Sequence, residues 1–368
     1  MLMSYWSSLI NNQSIRARYL ATLIVNVAKT VFNFFGGVVI ARTLGPKEYG
    51  DYSFLLGSFT AIIGLGNMGT SSAFYTFISQ KKRSLEFYRW YFLWITMQLV
   101  IIFSLICFIF PGSWRNEIWL GHKKEVILIA FFASFMMNSA WQAIVQAGES
   151  IRATIVVQLY NITLLGLYLV AVLAMAFIFK MTIVNLFVAA GALYFLFTVA
   201  LGARLKDSLI GDEKVKGISI LINEFKVFCA PLVISGIVSF VYSFADLWLL
   251  QKYGGAVQQG FYSIGSRFSN ICLLATVSIL NIFCKEITAA NSQGDKERLR
   301  RLYMMISRGV YFFNAVLCCF LIPFSKEIMS IFLGAQYESG WPCLAIMFLY
   351  PLAQSLGQIN GSYLLATG

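Results

Sequence analysis

Gly45-Pro46-Lys47-Glu48-Tyr49-Gly50-Asp51-Tyr52-Ser53 returns 210 residues later as Gly255-Ala256-Val257-Gln258-Gln259-Gly260-Phe261-Tyr262-Ser263. The two glycines, the tyrosine and the serine are identical. Glycine and tyrosine suit any tight turn at a membrane edge, so the letters alone make a weak match. The context strengthens it. Each copy sits in a short gap between two long apolar runs, 20–41 and 52–78 for the first, 227–250 and 261–283 for the second. An internal repeat of this period predicts two lobes of like topology, an arrangement found in many transporters.

Composition fixes the solvent. The 368 residues are 59% hydrophobic and 12% charged, against about 25% charged in an average soluble protein. A soluble fold of this size needs more polar surface than the chain supplies. The net charge of +12 is read as lysine and arginine gathered in cytoplasmic loops, with no nucleic-acid partner. The seven cysteines, Cys107, Cys229, Cys272, Cys284, Cys318, Cys319 and Cys343, lie in or beside apolar runs without CxxC spacing. They read as packing residues, not as a disulfide or zinc framework. The one histidine, His122, stands in Gly121-His122-Lys123-Lys124 and reads as a solvated loop residue. No cleavable signal peptide is visible at the start of the chain, and the first apolar run is expected to serve as an uncleaved anchor.

Ten spans are expected, at 20–41, 52–78, 90–110, 126–147, 153–179, 183–203, 227–250, 261–283, 309–324 and 341–367. The ninth is short and is expected to start earlier. With the N-terminus in the cytoplasm, 18 of the 28 basic residues fall in cytoplasmic segments and 8 in outer ones, while Lys29 and Arg267 lie inside spans. That bias favours an inward N-terminus. The polar stretch 204–226 divides the chain into an N-terminal lobe, 1–210, with six spans, and a C-terminal lobe, 211–368, with four. The outer loops are short, the largest running from 111 to 125, and leave no room for an external catalytic domain.

Four helices carry polar stripes at steps of three and four, which place the residues on one face. The first has Asn26, Lys29 or Thr30, Asn33 and Gly37; the second Ser53, Gly57, Thr60, Gly64, Asn67 and Ser71; the seventh Ser235, Ser239, Ser243 and Asp246; the eighth Ser263, Arg267 and Asn270. Close helix packing accounts for the small residues. It does not account for charges, which cost about 2.5–3.5 kcal/mol each at a helix centre on insertion scales. Counting along each helix puts Lys29 roughly 14 Å deep, Arg267 roughly 9 Å from the outer edge and Asp246 about 6–7 Å from it. Asp246 and Arg267 are therefore placed to form a salt bridge, whereas Lys29 has no acidic partner within the expected spans. A water-filled central cavity of net positive charge would keep Lys29 and would suit an anion such as a pyrophosphate. Lys29, Arg267, Asn33, Asn26, Asn270 and Asp246 are the candidate substrate-contacting residues. No catalytic or metal-ligating constellation is present, and no Walker A sequence, nucleophile elbow or outer pair of carboxylates.

The stretch from Ala41 to Gly50 resembles the opening of polysaccharide flippases of the Wzx type, in the multidrug/oligosaccharidyl-lipid/polysaccharide (MOP) exporter superfamily. Ala245-Asp246 and Gly260-Phe261-Tyr262-Ser263 in the second lobe are similar too, as are Gly294-Asp295-Lys296-Glu297-Arg298-Leu299 and Leu333-Gly334-Ala335-Gln336-Tyr337. The resemblance implies an all-α, two-lobed integral membrane bundle working by alternating access. It also implies a non-enzymatic flippase for an undecaprenyl-pyrophosphate-linked oligosaccharide, such as an O-antigen repeat unit of lipopolysaccharide, in a bacterial inner membrane. Related peptidoglycan-precursor flippases carry basic residues in the first and eighth helices, which here are Lys29 and Arg267. The implied partners are the lipid-linked substrate, membrane lipids and other polysaccharide-assembly membrane proteins. No cofactor is implied, with coupling to H+, Na+ or the membrane potential left open. Members of the superfamily commonly have twelve or more helices, so the second lobe is expected to be two helices short, as in a C-terminally truncated chain. A cation-coupled multidrug exporter of the same superfamily is the alternative, and a membrane polymerase or glycosyltransferase a third reading.

Overall fold

A computed structural model describes residues 15–81, 83–209 and 218–367. The proposed lobe boundary at 210–211 and the first fourteen residues lie outside the described residues, as does the side chain of Cys284. Among the described residues every regular element is helical. In chain order these are α1 (Ile15–Asn67), α2 (Thr70–Gln80), α3 (Leu85–Ser104), α4 (Gly112–Ile118), α5 (Lys124–Phe135), α6 (Trp141–Ser150), α7 (Thr154–Phe177) and α8 (Ile183–Leu209). They continue with α9 (Ile218–Leu249), α10 (Gly255–Ser292), α11 (Lys296–Leu321), α12 (Ser325–Leu333), α13 (Trp341–Met347) and α14 (Tyr350–Thr367). Short π-helical turns occupy Leu105–Ile109, Met136–Ala140 and Leu250–Gly254.

Among the described residues eight segments are long and apolar enough to cross a membrane, by length and composition. Two of them, Ile24–Asn67 with 44 residues and Ser219–Leu273 with 55, each take in the greater part of two of the ten expected spans. At about 1.5 Å per residue each exceeds twice the roughly 30 Å of hydrocarbon. The largest outward side chains are apolar: Phe108 and Phe177 are each 82% exposed. Such a surface is at home in lipid, and the chain is a multi-pass membrane protein.

The sequence predicts a tight turn in the short gap between the first two spans, and the structure has a sharp bend there. The helical path is broken at Gly45, with φ 77° and ψ 169°, and resumes at Pro46. Glycine meets no steric penalty at positive φ, and proline, lacking an N–H, starts the next helical stretch without losing a bond. Gly255 has φ 81° and ψ 169°. The two repeat copies thus share backbone geometry as well as letters.

By contacts the chain forms two units. The first holds the residues up to Gly36 together with Asp51–Gly255. Its core is α5, α6 and α7 packed on α8, with Trp141 donating from Nε1 to Asn161 Oδ1 at 3.2 Å. Phe74 stacks on Tyr91 with centroids 3.8 Å apart. The start of α9 is tied in by Arg83, which lies over the Phe77 and Phe87 rings and 3.4 Å from Glu224.

The second unit holds Gly37–Gly50 and Ala256–Gly368, so the first bend and the second repeat copy belong to one body. A side chain on Gly50 would run into the carbonyl of Ala256, and one on Gly260 into the carbonyl of Pro46. Residues 46 and 256 are themselves separated by the repeat offset of 210, so the contact is reciprocal. Tyr337 and Gln336 hold the same bend from outside it, donating to the carbonyls of Ala41 at 3.0 Å and Arg42 at 2.7 Å. Elsewhere in this unit α11 lies along α14, over a core of Phe283, Ile287, Leu299 and Ile359.

Candidate functional site

On α1 the stripe read from the sequence is present. Asn26 and Asn33 are exposed and Lys29 is half-buried. Thr30, the other residue offered for that step, spends its hydroxyl on the carbonyl of Asn26 at 3.0 Å. The expected spans offer Lys29 no acidic partner, but its charge interacts with that of Glu149, just beyond the end of the fourth of them. The apolar run of the fourth span ends at residue 147, but α6 continues to Ser150 and carries Glu149 in its last turn.

Part of the second stripe is taken up by packing. Gly57 faces Leu247, and Ser71 exchanges hydrogen bonds with Gln146 at 2.8 and 3.1 Å. Asn67 Oδ1 accepts from the Ser71 N–H at 2.8 Å and from the Thr70 hydroxyl at 2.9 Å, capping the break before α2. This is the helix-packing role that small polar residues play in membranes. The stripe on α9 is different: Ser235, Ser239, Ser243 and Asp246 are all exposed within a membrane span. Polar side chains turned to hydrocarbon are costly, so such a face belongs against water or a polar solute.

In the second unit Arg267 is half-buried on α10, and Asn270, one turn on, is exposed. The Arg267 guanidinium occupies the space that a side chain on Gly37 would need. Gly37 therefore does more than let helices approach: it provides the seat for a cation inside a span. Asp246 and Arg267 fall in different units.

One polar node was missed in the sequence. His122 is no solvated loop residue. Its side chain is 17% exposed, its Nε2 lies 3.6 Å from Asp51 Oδ1, and its ring stacks on Phe54. Gln251, in the π-helical turn after α9, donates to the same Asp51 oxygen at 2.7 Å. Burial holds the imidazole below its ordinary value of 6.5, and the Asp51 charge opposes only part of that shift. The available signal was a mismatch within the repeat, because Asp51 stands where the second copy has Phe261.

Among the described residues no group of three or more His, Cys, Asp or Glu could hold a metal ion, and the six described cysteines are unbridged.

Residues 15–284 match the family described as polysaccharide biosynthesis protein. The chain belongs to that family. None of the curated proteins compared with this chain matches it. Its fold is shared with solved transporters of the MOP superfamily. The lipid II flippase MurJ, in an inward closed conformation, is 14% identical, with a TM-score of 0.66 over 94% of this chain and 78% of MurJ. A multidrug resistance MATE family transporter of the MOP superfamily, inward-facing, is 14% identical with a TM-score of 0.62 over 92% of this chain and 83% of that one. The MATE multidrug transporter DinF-BH is 15% identical with a TM-score of 0.60 over 96% of this chain and 86% of that one. At these identities the likeness is one of fold. The expected class, an all-α MOP-flippase-like membrane bundle, is borne out.

Proposed function

We propose that the protein is a flippase that carries an undecaprenyl-pyrophosphate-linked oligosaccharide, of the O-antigen repeat-unit kind, across a bacterial inner membrane by alternating access. The observation that carries the reading is the cation seated on glycine: Arg267 lies in the space left open by Gly37. A guanidinium held inside a span matches the planar, multiply charged oxygens of a pyrophosphate. Within the same unit Asn270, one turn on from Arg267, is the second proposed head-group contact; Lys29, Asn26 and Asn33 are proposed as contacts from their sequence spacing alone. Arg267 is the stronger candidate, because its seat beside Gly37 is given by geometry. The family and the MurJ-like fold support a lipid-linked cargo. Transport needs no catalytic residue, and the reading assigns none.

The test is restoration of surface polysaccharide in cells that lack their own flippase. The wild-type protein should restore it. Arg267→Ala and Gly37→Leu should each lower it about tenfold or more at equal protein level, the loss expected for an interaction of about 1.4 kcal/mol or more. Lys29→Ala should lower it less. Full restoration by both Arg267→Ala and Gly37→Leu would end the proposed role of this seat. The exposed Asp246 on α9 is the feature that a cation-exporting relative would use. Expression-dependent drug resistance without any restoration of polysaccharide would favour that second reading.

A further inference from the structure

Between α11 and α14 runs a groove of about 590 Å³, lined by Arg300, Tyr303, Met304, Asn360, Tyr363 and Leu364. It lies wholly in the second unit and shares none of the residues assigned to cargo. The rings of Tyr303 and Tyr363 in its lining have centroids 4.9 Å apart. The Tyr303 hydroxyl donates to Asn360 Oδ1 at 2.7 Å, which turns that amide so that its Nδ2 remains as a donor. Met304 and Leu364 are exposed apolar walls. Arg300 stands at one end.

The neighbouring arginines sharpen the point. Arg298 is paired with Glu286 at 2.9 Å, and Arg301 with Glu297 at 3.7 Å. Arg300 has no carboxylate partner among the described residues. The one arginine of this turn left unneutralised is the one that faces the groove. Lys296 adds to the charge of this end of α11, the end that the distribution of basic residues assigns to the cytoplasm. Basic pockets between spans on that side suit acidic lipid head groups.

We propose that this groove binds an anionic phospholipid of the inner leaflet, with its phosphate on the Arg300 guanidinium and the Asn360 amide and an acyl chain along Met304 and Leu364. A zwitterionic lipid offers the same chain but brings its own cation to Arg300, so the site selects for net negative charge.

Native mass spectrometry of the purified full chain, equilibrated with phosphatidylglycerol or phosphatidylethanolamine, tests this. The wild-type protein should retain phosphatidylglycerol about fivefold better, the preference expected from one basic residue at an anionic surface. Arg300→Gln should abolish the preference. Arg301→Gln should keep it, because Glu297 already neutralises that charge. Leu364→Trp, which fills the groove without changing charge, should lower phosphatidylglycerol retention. Three results would overturn the site: no preference in the wild type, equal losses in Arg300→Gln and Arg301→Gln, or undiminished retention in Leu364→Trp. Unchanged elution volume and helical content of each variant would show that the fold is intact. Failure here leaves the cargo reading standing, because polysaccharide restoration does not depend on these residues.

Discussion

At the residue scale, His122 shows how far burial can redirect a side chain. It stands among lysines in the sequence, yet its ring is stacked on Phe54 and faces Asp51. Of the nearby charges, Glu117 pairs with Lys252 at 3.5 Å, and Lys124 donates to the carbonyl of Cys107 at 3.2 Å. Because burial lowers the His122 value below 6.5, the folded protein binds this proton more weakly than the unfolded chain does. The stability linked to it is whole above about pH 6.5 and is lost as pH falls through the lower folded value. The melting temperature of the purified protein should therefore fall between pH 7 and pH 5.5, and His122→Asn should flatten that part of the curve. Parallel curves for the two proteins would show that His122 does not contribute. Nothing local in Gly121-His122-Lys123-Lys124 announces this. The partner is 71 residues away, and a contact of that separation leaves no periodicity to read. Glu149 is hidden in a similar way, by a helix that runs three residues past the end of its apolar run.

At the scale of elements, hydropathy and the repeat made most of the helices legible, because each span is long, apolar and bounded by charge. What they could not show was the joint. Two spans meet at Gly45 through a bend, with no loop between them, and the second glycine of each copy is pressed against the backbone of the other. A helical glycine in open space gains about 0.5–1 kcal/mol on replacement by alanine. Gly64 and Gly357 have nothing near the space a side chain would take, and Gly64→Ala and Gly357→Ala should leave the melting temperature unchanged or raise it. Gly50→Ala and Gly260→Ala must instead push two backbones apart, at a cost of about 1–3 kcal/mol each, the range for overpacking. Both should melt lower. The double variant should lose less than the two single losses added together, since one displacement relieves both collisions. Strict additivity would show that the two glycines do not share a contact.

At the scale of the whole molecule, the polar face of α9 is the least expected surface. Ser235, Ser239 and Ser243 are exposed on a helix whose other outward residues include Ile234, 72% exposed, and Val238, 62% exposed. A helix that turns serines one way and branched apolar residues another is built for two solvents. In a background with its cysteines replaced, Ser239→Cys should react in membranes with a charged, impermeant thiol reagent, and Val238→Cys should not. Equal reactivity, or none at either position, would remove the water-facing assignment. The stripe itself was readable from spacing alone. Its exposure was not, since the stripe on the second half of α1 has the same spacing and is partly consumed by packing.

The reciprocal glycines carry one more implication. Where residue 46 meets 260 and residue 256 meets 50, each copy presents the same patch to the other, which is the pattern of a two-fold dimer interface. The two turns therefore share one fate: a side chain accepted in either must be accommodated by the other, so a change in one bend calls for a change in its counterpart.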